Sequence, residues 1–101
     1  MRARLELHAI LKAIPGVREV YFQPPESIKL NYPCIIYNLD RSEAHHADNK
    51  KYIHKNRYTI TVIDKNPDSV IPGSVTDLDY CAFDRFFTSD NLNHYVFTLY
   101  F

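Results

Sequence analysis

Glycine is almost missing from this chain: Gly16 and Gly73 are the only two among 101 residues. A glycine-rich phosphate cradle needs several close together, so the dinucleotide and P-loop motifs are absent, as is a nucleophile elbow of the G-x-S-x-G kind. Tryptophan is absent, and so is any charge excess, since 12 basic residues balance 12 acidic ones. Affinity for nucleic acid rests largely on neutralising phosphates, so a balanced chain lacks the usual electrostatic footprint. No stretch approaches the ~18 consecutive apolar residues of a membrane span. The start, Met1-Arg2-Ala3-Arg4-Leu5-Glu6, carries no apolar run behind its charges, so secretion is not expected. The two cysteines, Cys34 and Cys81, form no C-x-x-C pair. In a reducing cytosol both are expected to stay free and to act as small hydrophobes in strands.

What the chain does have is apolar mass. Hydrophobic residues make up 46% of it, with eight tyrosines and six phenylalanines. That is ample for a core and points to one domain over residues 1–101. Leu7, Ile10, Leu11 and Ile14 recur at helical spacing, which predicts a helix over residues 2–14 that Pro15-Gly16 stops. Residues 17–22 read as a strand closed by Pro24-Pro25. Strands follow over 34–41, where Ile35, Tyr37 and Leu39 share a face, and over 52–63, where Tyr58, Ile60 and Val62 do. Between them lie ten residues, 42–51, eight of them polar, expected as the mobile tip of a long antiparallel hairpin. Asn66-Pro67-Asp68 marks a turn, and Ile71, Val75 and Leu78 fit one face of a short helix with Pro72 in its first turn. Strands over 80–88 and 94–101 flank a turn at Ser89-Asp90-Asn91.

Eight of the 14 aromatic residues fall in the last 22 positions, so the C-terminal part is expected to be heavily buried. Phe97, Leu99 and Phe101 alternate onto one face of the final strand and are candidate core or subunit-interface residues. The fold class that follows is α+β: a mixed, mostly antiparallel sheet with a long hairpin, an N-terminal helix and a short second helix on one face.

Candidate chemistry is sparse. His45, His46, Asp48 and His54 lie close in sequence, and imidazole with carboxylate suits borderline metals. Yet adjacent histidines in a strand point to opposite faces, so solvated histidines are the better reading and no metal is expected. The carboxylate pairs Asp77/Asp79 and Asp64/Asp68 sit in turns or at helix ends, where acceptors for free backbone N–H groups are needed anyway. A glycosidase needs two carboxyls across a cleft, which these do not promise. His94 starts a strand and reads as an edge or core histidine. The basic residues Lys50, Lys51, His54, Lys55 and Arg57 alternate with Tyr52 and Tyr58, a pattern that can grip single strands. Glu43, Asp48 and the neutral balance speak against that use. The polar tip, with His45, His46, Asp48, Asn49, Lys50 and Lys51, is the candidate partner-contact loop. No catalytic residue and no cofactor are expected, and the chain is not read as an enzyme.

Three segments carry a resemblance. They are Tyr32-Pro33-Cys34-Ile35-Ile36-Tyr37, then Arg57-Tyr58-Thr59-Ile60-Thr61-Val62-Ile63-Asp64-Lys65-Asn66-Pro67-Asp68-Ser69, then Cys81-Ala82-Phe83-Asp84-Arg85-Phe86-Phe87-Thr88-Ser89-Asp90-Asn91-Leu92. In order and spacing they resemble the small tail-completion proteins of long-tailed phages and prophages, also called tail terminator or head–tail joining proteins. That resemblance implies a structural virion protein, made in the host bacterial cytoplasm, that caps the tail tube or joins the tail to the head connector. It implies a homo-oligomeric ring, generally of six, with tail tube and head–tail connector proteins as partners. Neither a membrane nor direct nucleic-acid binding is expected. The alternative is a small non-catalytic α+β adaptor that binds RNA or protein.

Overall fold

The computed structural model describes residues 4–47 and 50–101, with side chains described outside 41–55. Seven elements follow one another: α1 (Arg4–Lys12), β1 (Glu19–Phe22), β2 (Cys34–Ala47), β3 (Lys50–Asp64), α2 (Ile71–Thr76), β4 (Cys81–Ser89) and β5 (Leu92–Tyr100). The strands form one sheet in the order β1-β2-β3-β5-β4. Only β1 and β2 run parallel; the other neighbours are antiparallel. The α+β class is therefore correct, with its long hairpin and two helices.

α1 forms where the apolar spacing places it. Leu7 and Leu11 point inward and are fully buried, and Ile14 joins them just past the helix end. The stop comes at Gly16, whose φ of +93° lies in the left-handed region that favours glycine. A side chain there would also press on Ile71 of α2, whose Cγ1 lies 3.5 Å from the position a Cβ would take. α2 begins with Ile71 and Pro72 and turns Ile71 and Val75 inward. Its start is prepared by three local bonds. The Asp64 carboxylate accepts the Asn66 N–H, Asn66 Oδ1 accepts the Asp68 N–H, and Ser69 Oγ accepts the Ile71 N–H. Asp64 and Asp68 thus belong to the turn, as the need for local acceptors predicts.

The core lies between the helices and one face of the sheet. Leu7, Leu11, Ile71 and Val75 meet Val20, Ile35, Tyr37, Tyr58, Ile60, Val62, Phe97 and Leu99. The period of two along β2, β3 and β5 selects these residues and sends Ile36, Thr59, Thr61 and Thr98 to the opposite face. There the β1–β2 connection crosses over, and Pro24, Pro25, Ile28 and Leu30 line a shallow cleft with Ile36 and Asn38.

β2 and β3 outrun the sheet. β5 stops pairing at Arg57↔Tyr100, while β2 and β3 stay paired from Arg41↔Arg57 to Ala47↔Lys50. This corrects the expected ten-residue loop over 42–51. His45 and His46 lie in β2 and Lys50 and Lys51 in β3. A backbone ladder needs no apolar face to continue, so polarity alone did not mark its end. The base of this arm is tied twice. Arg57 bonds Asp40 through Nη2 at 2.8 Å, and Asn56 and Phe101 exchange backbone N–H···O bonds of 3.1 and 2.9 Å.

The C-terminal hairpin turns through Asp90 and Asn91, both at positive φ (53° and 63°). That geometry matches the twist of the strands it joins. β5 lies between β3 and β4 and is buried as expected, with Phe97 at 0%, Leu99 at 1% and Phe101 at 6% exposure. β4 corrects the expectation of a heavily buried C-terminal part. Tyr80, Phe83, Phe86 and Phe87 are exposed by 68, 54, 50 and 40%. β4 has a neighbour on one side only, and α2, which packs near it, is only six residues long.

Candidate functional site

The described residues offer one uncovered apolar surface of note, the edge formed by β4. Its rings stand in register with those of β5. Phe83 meets Phe97 edge-on at 5.5 Å, Phe86 leans on Tyr95 at 5.0 Å, and Phe87 stacks on His94 at 4.6 Å with planes 14° apart. Each β4 ring is thus supported on its inner side by a β5 ring and open on its outer side. The backbone of the strand is open too, because an edge strand directs half of its N–H and C=O groups away from the sheet.

A bulge breaks the β4 register between Phe83 and Arg85, so Asp84 is the extra residue. Without it, Phe83 and Phe86 would fall on opposite faces, being three apart. With it, Phe83 pairs with Phe97 and Phe86 with Tyr95, both on the helix-covered face. Ala82, Arg85 and Phe87 take the other face. Asp84 and Arg85 form an exposed ion pair of 2.9 Å. The centre of the edge is therefore one acid beside one base, flanked by phenylalanines.

A second grouping is polar and lies where α1 crosses β2. Tyr37 is buried, and its hydroxyl accepts a bond from Arg4 Nη1 at 3.0 Å and sits 2.8 Å from His8 Nδ1. The Arg4 guanidinium also lies 4.5 Å over the Phe22 ring. Burial, then the charges of Arg4 and Lys12, lowers the His8 pKa, while burial raises that of Tyr37. Both directions favour a neutral imidazole that accepts the Tyr37 proton. The sequence signal was present but faint: Arg4 and His8 are four apart on one helix face, and nothing marked Tyr37 as their partner. The arrangement locks the helix to the sheet.

The other predicted residues fall as follows. Phe97, Leu99 and Phe101 are core residues of the single chain. His45 lies opposite Ile53, His46 opposite Lys51 and Ala47 opposite Lys50. Asp48 and Asn49, and the side chains of His45, His46, Lys50 and Lys51, lie outside the described residues. Among the described residues no group of three or more His, Cys, Asp or Glu side chains comes together. His94 stands mid-strand against Phe87, with Nδ1 3.1 Å from the Leu92 carbonyl. Asp77 closes α2 through its backbone N–H to the Gly73 carbonyl. Asp79 lines a small cleft with Leu7, Ile10, Leu78, Leu99 and Phe101. Cys34 and Cys81 are free. Burial pushes the Cys34 thiol up to about 12 and that of Cys81 upward as well. No helix among the described residues is long and apolar enough to cross a membrane.

Against known proteins, the chain matches no protein-family model, no curated protein and no solved structure.

Proposed function

We propose that the chain is a structural virion-assembly protein that caps the tail tube or joins the tail to the head connector, working as a ring of like subunits. The observation that carries this reading is the uncovered β4 edge. A small domain that spends three phenylalanines on an open strand, with Tyr80 just before it, gains from a partner what its own core does not use. The arm built by β2 and β3 adds a second projecting element, tied firmly at its base by Arg57 and Phe101. Rings arise from head-to-tail contacts whose rotation closes, and an open edge together with a projecting arm gives a subunit two unlike surfaces to join.

The test is to mix the purified chain with purified tail tubes of a long-tailed phage. Sedimentation and electron microscopy would then show whether the chain caps one tube end and how many copies it places there. A six-membered ring at the end is the expected result. A chain that leaves tubes untouched and binds single-stranded RNA would replace this reading with the adaptor.

A further inference from the structure

The β4 edge has one property that its aromatic content does not require: it is complementary to itself. We propose that two copies of the free chain pair through β4, antiparallel about a two-fold axis between Asp84 and Arg85, forming one ten-stranded sheet. The inference does not rest on the tail reading.

Consider the register in which Asp84 of each copy faces Arg85 of the other. Phe83 then faces Phe86, Ala82 faces Phe87 and Cys81 faces Thr88. Residues directly opposite one another in adjacent strands must lie on the same face of the sheet. In a regular strand no odd-numbered residue could face an even-numbered one across such an axis, because neighbours alternate. The bulge at Asp84 shifts the alternation by one. It thereby brings Phe83, Phe86, Cys81 and Thr88 to the helix-covered face and Ala82 and Phe87 to the other. Every facing pair outside the bulge is then matched in face. The half-exposed Phe83 and Phe86 rings would cover one another, once on each side of the axis.

The charges agree with this register. A bulge and unanswered charges are the usual guards of an edge against pairing; in this register the bulge of each copy lies opposite that of the other. Here the charges are one acid and one base, adjacent and already 2.9 Å apart within the chain. Across the axis each meets its opposite, so two intrachain pairs become a closed square of four alternating charges. Moving the register by one residue would set Arg85 against Arg85. A head-to-tail contact of β4 with β1, two edges that run in opposite directions, gains no such match. With the strands antiparallel, setting Arg18 against Asp84 places Glu19 against Phe83, and setting Glu19 against Arg85 places Arg18 against Phe86.

A two-fold contact ends growth at two copies. For a protein that forms rings, such a pair is a resting form whose β4 edges must part before a ring can close.

Light scattering across the micromolar range tests this with four proteins: the unchanged chain, Asp84→Arg, Arg85→Asp and the double exchange. The unchanged chain should have twice the mass of the 11.9 kDa protomer. Each single exchange sets like charges opposite one another twice and should weaken the pair on the order of tenfold. The double exchange restores every opposite pair and should restore the dimer. Both residues are exposed, so melting curves of all four should coincide at concentrations low enough to keep each monomeric. A monomer throughout overturns the proposal. A dimer indifferent to the single exchanges, or one that the double exchange fails to restore, places the contact elsewhere and overturns it equally. Failure to bind tail tubes would leave this result untouched.

Discussion

The two strands of the C-terminal hairpin are nearly alike in composition and opposite in fate. β4 carries Phe83, Phe86 and Phe87, and β5 carries Tyr95, Phe97 and Tyr100; each has nine residues. β5 has a strand on either side, α1 and α2 over one face, and buries Val96, Phe97 and Leu99. β4 has one neighbour and buries nothing fully. Aromatic content therefore measures how much surface a strand would bury, while its place in the sheet decides whether it does so within the chain. In β5 that demand is met by folding; in β4 the chain itself leaves it unmet.

The largest effect that sharpens this contrast is Phe97→Ala. Removing a fully buried phenylalanine costs ~3–5 kcal/mol, against a whole-domain stability of about 5–15 kcal/mol. Urea denaturation should show a large part of the stability gone, and much of the protein insoluble. Removing residues 94–101 should prevent folding altogether, although chain ends usually fray. A truncated chain that stays soluble with an unchanged melt would show that β5 is not core.

The two cysteines report centre and edge by reactivity. Cys34 sits fully buried in β2 between β1 and β3, and its thiol is pushed up to about 12. Cys81 opens β4, is half-buried, and is raised less. Since the thiolate is the nucleophile, Cys34 should label on the order of a hundredfold more slowly than an exposed thiol, or slower still. Cys81 should fall between. Mass spectrometry after timed alkylation would read both, and Cys34 labelling first would reverse the assignment of centre and edge.

Phe86→Ala should have a smaller effect on the single chain. The ring is half-exposed, so its loss should cost about 1 kcal/mol, counting partial burial and the contact with Tyr95. Its effect should appear in association instead, as a weaker dimer. If Phe86→Ala destabilised the chain as much as Phe97→Ala, the difference between the strands would vanish.

How much of this was legible follows from what kind of signal each feature needs. α1, α2 and the strand alternation are local patterns, and Leu7/Leu11, Ile71/Val75 and Ile35/Tyr37 stated them directly. The turn acceptors Asp64, Asn66 and Ser69 were readable for the same reason. The order of strands in the sheet is not local, so the sequence showed two aromatic strands and no sign that one was an edge. The β2–β3 hairpin runs farther than its apolar residues predict, because backbone groups sustain pairing by themselves. The bulge at Asp84 left no mark beyond an acid beside a base. It became visible only when Phe83 and Phe86, three residues apart, proved to share a face.

The smallest effect lies in the lock between α1 and β2, where pH should separate His8 from its replacement by glutamine. Arg4 donates to the Tyr37 oxygen, so the hydroxyl proton is free to point at His8 Nδ1, 2.8 Å away. This needs a neutral imidazole. Burial, Arg4 and Lys12 all favour the neutral form, and only Glu19 opposes them. The folded pKa therefore lies below the ordinary 6.5. Between the two values the unfolded chain binds more protons, so stability rises with pH there. The contribution is complete above about 6.5, falls away as pH drops below it, and levels off once the folded value is passed. His8→Gln keeps an acceptor for Tyr37 but does not titrate. Urea midpoints of the two proteins should run parallel above neutrality and converge or cross between pH 6.5 and 5, with the unchanged chain losing more. Glu19, whose pKa is lowered chiefly by the Val20 N–H, titrates in both proteins and differs between them only by the charge of His8, the last of its causes. A constant difference from pH 7.5 to 5 would show that His8 does not accept from Tyr37. A gain for the unchanged chain on acidification would show that the imidazolium is the bound form.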